Sequence, residues 1–379
     1  MLTYLDNAAT TMPLPEVVEA VAKAMRDHFA NPSSLHGLGA AAARMLARAR
    51  EEVAALLHAE PDEVVFTGSG TEANALGFMG AARAARGRHL VTSGIEHAAV
   101  YESARKLAAE GWQLDLVAPG KDGCVTVDAV LAAIRPETSV VAIMLVNNEI
   151  GTLQPVADIA RAIRTLGRRI HLHVDAVQSA GLVPVDVRTK GADSIAISAH
   201  KLHGPKGVGA LWLRKGRNVA SLYGGGGQER DLRSGTENLP ACVGFGVAAT
   251  LAAKTRGAGA EVASLRDRLE AAIFEKLPQL RPAVPSGTPR APHISGILLP
   301  SLPAEPVLHA LEARQVFASE GAACSSHSRE QSRVMQALGV PTSTGSLRFS
   351  LSRLTTAEDI DRAASALDAA VAEIARAVR

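Results

Sequence analysis

VVFT (64–67), HLVTS (89–93), QLDLV (113–117), SVVAIMLV (139–146), IHLHV (170–174) and SIAIS (194–198) are short apolar runs rich in branched side chains, with helical patterns between them. Strands that alternate with helices build parallel sheets, because a parallel neighbour needs a crossover connection and the crossing helices cover the sheet faces. This stretch sets the fold class as α/β with a mostly parallel sheet.

On its amino-terminal side, Val17, Ala20, Val21, Ala24 and Met25 keep helical spacing after Pro15. Leu46, Val53, Leu56 and Leu57 mark a second amphipathic helix that ends near Pro61. On the other side a helix over about 240–254 closes the alternation. The pattern then loosens into a long helix, the extended run HISGILL (293–299), a helix near 304–313, the strands VFAS (316–319) and SLRFSLS (346–352), and a closing helix. Thr355 and Thr356 stand three residues before Glu358 and Asp359, a capping-box start for that helix. The spacing predicts a large domain over 15–257 and a smaller α+β domain made of 1–14 and 258–379.

A chain of 379 residues that is 47% apolar can bury a substantial core. Alanine is abundant and aromatics make up only 3%, so the helices are expected to pack through small faces. The formal charge is +2 with no basic run, which argues against direct nucleic-acid or membrane-surface binding. Cys124, Cys242 and Cys324 are odd in number and far apart, with neither metal-ligand spacing nor a disulfide framework; no metal site and a reducing, cytoplasmic setting are expected. No run of eighteen apolar residues and no leader-like start stand in the sequence, so neither membrane insertion nor export is expected.

Four places carry candidate chemistry. VVFT runs into Gly68, Ser69, Gly70 and Thr71 and then a helix, so backbone N–H groups, the positive helix end and a hydroxyl converge as in a phosphate cradle. A plain tight turn is the other reading, and the Gly-Lys-Ser/Thr ending of a Walker loop is missing. Asp175 ends a strand expected to be buried, where α/β sheets bind ligands; it is either a helix cap or the partner of a cation such as a protonated pyridine nitrogen. Lys201, in SAHKLHGPKGVGAL (198–211), sits just past a strand end, while most of the nine lysines stand in polar helical or turn contexts. A desolvated lysine there suits Schiff-base chemistry with an aldehyde cofactor. Cys324, in EGAACSSHS (320–328), lies in a small-residue stretch without apolar periodicity and is expected on a loop, although a lone cysteine is usually buried and inert.

Taken together with YLDNAATT (4–11), NPSSLH (31–36), TEAN (71–74), IEHAAV (95–100), NNEIGTLQPV (147–156), HVDAVQS (173–179), SAHK (198–201), RSGTEN (233–238), ACSS (323–326) and LRFSLSRLTT (347–356), the chain resembles the cysteine desulfurases of the NifS/IscS type, within the class V aminotransferases, over nearly its whole length. The resemblance implies an aspartate-aminotransferase-like, fold-type-I enzyme that uses pyridoxal 5'-phosphate and works as a homodimer with both sites at the interface. It implies Lys201 as the Schiff-base lysine, Asp175 as partner of the ring nitrogen, His97 as the stacking ring, and Asn148 and Gln178 on the cofactor's phenolic side. Gly70, Thr71, Ser198 and His200 would hold the phosphate, joined by Thr236 from the partner subunit. Asn31 and Arg348 would hold the carboxylate of L-cysteine, and Cys324 would take its sulfur as a persulfide for an acceptor protein such as an iron–sulfur scaffold. The segment after Ala323 resembles the longer, mobile form of the family's cysteine loop. Ala75, Glu320 and Ala322 depart from the commoner pattern without removing a catalytic group. Selenocysteine lyase, another fold-type-I enzyme, and a non-catalytic regulator or scaffold that binds the same cofactor are the competing readings.

Overall fold

The computed structural model describes residues 2–255, 258–321 and 331–377. The six apolar runs all become strands, in a seven-stranded sheet ordered Val64–Thr67, Gly209–Leu213, Ser194–Ser198, His171–Asp175, Thr138–Ala142, His89–Ser93, Gln113–Val117. The last five in that order pair in parallel. Gly209–Leu213 runs antiparallel between its two neighbours. Sequence reading did not separate this strand from the glycine-rich segment that follows Lys201. Its first residue explains the glycine: a Cβ on Gly209 would come within 2.5 Å of the Ser69 carbonyl carbon, so only glycine lets the Gly68–Gly70 turn lie against the strand.

Val64–Thr67 and Ser194–Ser198 are both antiparallel to the strand between them, so their carboxyl ends point the same way as those of the other parallel strands. One edge of the sheet therefore carries the turn at Gly68, the His97 turn, Asp175 and Lys201. This is the edge at which open α/β sheets bind ligands.

One face of the sheet is covered by Pro15–Asp27, Gly37–Leu57 and Leu239–Lys254, whose Val17, Leu46, Val53 and Phe245 share a core with Ile143, Val174 and Ile195. The packing through small faces expected from composition is present. A Cβ on Gly246 would stand 3.0 Å from Ala49 Cα, so the last helix rests almost backbone to backbone on the second. The helix Gly70–Ala84 packs on the opposite face, burying Leu76, Phe78 and Met79 with Leu90, Val140 and Leu211.

A second core joins Leu269, Ile273, Ile297, Val307, Leu347, Phe349, Ile360 and Leu367, around the antiparallel set Gly345–Ser350, Ile294–Leu299 and Arg281–Pro282. The amino terminus returns to this core: Thr3–Tyr4 pairs in parallel with Val316–Phe317, and Leu5 is fully buried in it. Ala8 already belongs to the first core, and Thr11 N–H donates to His200 O at 2.9 Å, so the chain passes between the cores within residues 5–8. The VFAS strand is shorter than expected, only Val316–Phe317, with Ser319 bridging to Arg348. The closing helix, Ala357–Ala377, opens on a reciprocal pair, Thr356 N–H to Asp359 Oδ2 at 3.0 Å and Asp359 N–H to Thr356 Oγ1 at 3.2 Å.

Candidate active site

The cradle is built at the first turn of Gly70–Ala84. Ser69 caps the helix, its Oγ accepting from Glu72 N–H at 3.1 Å. A Cβ on Gly70 would meet Val177 Cγ2 at 2.9 Å and Ser198 Cβ at 3.0 Å, so the helix end is pressed against the ends of two strands. Ser198 Oγ is buried there without a hydrogen-bond partner. A buried hydroxyl with no partner beside a helix amino terminus is what an arriving phosphate oxygen satisfies. Thr71, on the same turn, is exposed.

Asp175 ends its strand fully enclosed. Its Oδ1 accepts from Val177 N–H at 2.9 Å and its Oδ2 from Asn74 Nδ2 at 2.9 Å. Burial pushes its pKa up, while His97, the Val177 N–H, the Asn74 amide and Lys201 pull it back. A carboxylate held in this way gains most from a cation placed directly against it. Asn74 escaped sequence reading as a site residue; the only signal was its place in TEAN.

His97 caps Ala98–Ala109, its Nδ1 accepting from Ala99 N–H at 3.1 Å, which leaves the ring proton on Nε2 in the neutral form. Gln178 Nε2 donates to Ala8 O at 2.8 Å. Lys201 Nζ donates to Ala9 O at 2.8 Å and also to Ala8 O. The backbone of DNAAT (6–10) thus receives both side chains, a role that sequence reading did not assign to it. His200 Nδ1 lies 3.2 Å from Thr10 Oγ1, and burial, then the charges of Lys201 and Lys206, lower its pKa to about 4.

Arg348 is 2% exposed. Its guanidinium pairs with Asp6 Oδ1 at 2.8 Å and donates to Asn148 O and Gly321 O, both at 2.9 Å, while its Nε is buried without a partner. Arg348 therefore draws Asp6, Asn148 and the stem of the cysteine segment to one point. Asn31 and Thr236 are exposed, and among the described residues neither is hydrogen-bonded to another candidate. Cys324 and Ala322 lie outside the described residues; Cys124 and Cys242 have thiol pKa values pushed up by burial to about 11 and about 12. Among the described residues no cluster of three or more metal-ligating side chains is present.

The fold and the strand-end site define a fold-type-I α/β enzyme. The chain belongs to the class V aminotransferase family, whose model, "Aminotransferase class-V", matches residues 3–363. A cysteine desulfurase of Cereibacter sphaeroides is 42% identical over 364 residues, covering 95% of this chain and 93% of that protein. A solved structure described as a NifS-like protein superposes with a TM-score of 0.92 at 31% identity, covering 98% of this chain and 100% of that one. Another, described as SspA in complex with cysteine, gives a TM-score of 0.78 at 32% identity over 92% of this chain and 98% of that one. The family depends on pyridoxal phosphate. The unpartnered Ser198 hydroxyl at a helix end, the enclosed Asp175 carboxylate and the nearby Lys201 ammonium fit that cofactor's phosphate, ring nitrogen and aldehyde.

Proposed function

We propose that the protein is a cysteine desulfurase, which converts L-cysteine to L-alanine and leaves the sulfur as a persulfide on Cys324. The observation that carries this reading is the convergence of Asp175, Lys201 and the Gly70–Ser198 cradle on one sheet edge, in a chain similar over nearly its full length to cysteine desulfurases. Pyridoxal phosphate, when bound, supplies an electron sink that acidifies the α-proton of cysteine and weakens its C–S bond.

Each residue has a task in that chemistry. Gly70, Thr71, Ser198 and His200 hold the phosphate, and Asp175 faces the ring nitrogen with a negative charge. Asn148 and Gln178 flank the phenolic side, and His97 stacks on the ring. Lys201 anchors the cofactor, then takes the α-proton of cysteine and returns one to carbon. Arg348, with Asn31, holds the substrate carboxylate, for which its buried Nε is a ready donor. The Cys324 thiolate bonds to the substrate sulfur as the C–S bond breaks; the carbon keeps the electron pair, gains a proton and departs as alanine.

A homodimer is the assembly we propose. Met12, Val18, Met25, Phe29, Leu35 and Leu38 are exposed around the first two helices, Phe29 at 76%, an apolar surface of the kind that subunits cover. Thr236 would then complete the phosphate site of the neighbouring subunit. The persulfide passes to an acceptor protein such as an iron–sulfur scaffold, in the cytoplasm; among the described residues no helix is long and apolar enough to cross a membrane. The deciding experiment is to mix the purified protein with cysteine and measure alanine and sulfide with and without acceptors. Equal alanine release by Cys324→Ala would overturn the persulfide step.

A further inference from the structure

The strand that ends in Asp175 also carries two histidines, and neither has a task in the reaction above. His171 Nε2 lies 2.8 Å from Ser194 Oγ, and the same hydroxyl lies 2.8 Å from His173 Nδ1. His173 Nε2 lies 2.9 Å from Asn74 Oδ1, and Asn74 Nδ2 lies 2.9 Å from Asp175 Oδ2. Five side chains thus form one unbroken row, and His173 and Ser194 are fully buried in it.

The carboxylate fixes the polarity of the row. Ionised Asp175 only accepts, so Asn74 turns its NH2 toward it and its carbonyl toward His173. His173 must then carry its proton on Nε2 and accept on Nδ1 from the Ser194 hydroxyl. Ser194, having given its proton, accepts from His171 Nε2–H. Both rings are neutral: burial above all, with Asp193 opposing and Arg217 assisting, lowers the pKa of His171 to about 4, and burial together with His171 lowers that of His173 to about 3. Every dipole in the row directs its positive end toward Asp175, and aligned hydrogen bonds reinforce one another in a dry interior.

A second observation shows that the fold makes room for the row. Gly77, one turn after Asn74 on the helix Gly70–Ala84, faces the His173 ring: a Cβ there would stand 2.5 Å from both Cε1 and Nδ1. A glycine inside a helix costs about 1 kcal/mol relative to alanine. The helix accepts that cost where the imidazole lies against its backbone.

We infer that His173 is a positioning residue, which with Ser194 and His171 behind it locks the Asn74 amide so that an N–H always faces Asp175 and holds that carboxylate ionised and aimed. Without the lock, Asn74 can turn its oxygen to the carboxylate, and Asp175 becomes a weaker partner for the protonated ring nitrogen. The inference rests on the reading of Asp175 as that partner.

The test is to load the protein with pyridoxal phosphate labelled with 15N at the ring nitrogen and to record its chemical shift in wild type, His173→Met, His173→Gln and Ser194→Ala. Gln keeps an N–H near the position of Nε2; Met has none. The expected result is a protonated ring nitrogen in wild type, a shift toward the unprotonated position with a roughly tenfold loss of cofactor affinity in His173→Met, and recovery of both in His173→Gln; tenfold is the scale of one hydrogen bond to a charged group. Ser194→Ala, which frees Nδ1 and with it the choice of tautomer, should shift in the same direction as Met and decides the matter if His173→Met does not fold. A ring-nitrogen shift that stays at the wild-type value in the folded Met variant, or in Ser194→Ala where Met does not fold, overturns the positioning role. A wild-type protein that binds no cofactor overturns the cofactor reading itself.

Discussion

Asp6 and Arg348 meet at 2.8 Å across 342 residues of chain, tying the DNAAT turn to the strand Gly345–Ser350 of the second core. Arg348 is almost wholly buried and its remaining partners are backbone carbonyls. Asp6→Ala would leave a buried cation without its counter-charge, and we expect a loss of roughly 3 kcal/mol, the low end for breaking a buried pair. Urea unfolding of wild type and variant measures it; an unchanged midpoint would mean that the carbonyls alone hold the guanidinium.

Gly70→Ala tests the cradle. The added methyl would press on Val177 and Ser198, and overpacking of this kind costs about 1–3 kcal/mol. If the pressure falls on the phosphate site, cofactor affinity drops roughly tenfold or more, in keeping with that range, while the variant stays folded. Titration of the apoprotein with pyridoxal phosphate, followed by absorbance, reads this directly; unaltered affinity would place the phosphate elsewhere.

Glu96, the residue before His97, supplies a pH prediction. Its Oε1 accepts from Ser93 Oγ–H at 2.6 Å and Met144 N–H at 3.0 Å, its Oε2 is buried without a partner, and burial pushes its pKa from 4.5 to about 8. The folded form binds this proton more tightly than the unfolded chain does. The stability that it brings is therefore complete below pH 4.5 and is lost progressively as pH rises toward about 8. Glu96→Gln, neutral throughout, should flatten the decline in Tm across this window. Parallel curves for the two proteins would show that Glu96 does not titrate there.

Lys201 and Cys324 separate the two halves of the reaction. Lys201→Ala should abolish the borohydride-reducible bond between protein and cofactor, together with all alanine formation. Cys324→Ala should bind the cofactor as wild type does, yet accumulate no persulfide and release almost no alanine. Mass spectrometry after borohydride reduction and persulfide labelling after cysteine addition distinguish them. A reducible bond that survives in Lys201→Ala would move the anchor to another lysine.

What the sequence made legible was whatever depends on local pattern. The alternation of strands and helices is local, and it put Asp175 and Lys201 at strand ends, where they stand. Gly209–Leu213 stayed hidden because a strand entered through glycine offers no alternation to read. Asn74 and Asp6 were quoted only inside motifs, since their importance comes from partners at positions 175 and 348 that the fold alone brings near. Ala8 and Ala9 contribute backbone oxygens, which no side-chain pattern can advertise.

The carbonyls that receive Lys201 lie in a segment that the ribosome makes long before the strand that pins this segment down. Synthesis at 5–20 residues per second separates Asp6 from Arg348 by roughly half a minute. Through that interval the seven-stranded sheet can form, but the floor beneath Lys201 is held from one side only, by Thr11 on His200 and Gln178 on Ala8, without its ties to Arg348 and Ser350. A nascent chain arrested before residue 345 should therefore display a folded sheet with an open, poorly retaining site, and tight capture of the cofactor waits until Arg348 has emerged and paired with Asp6.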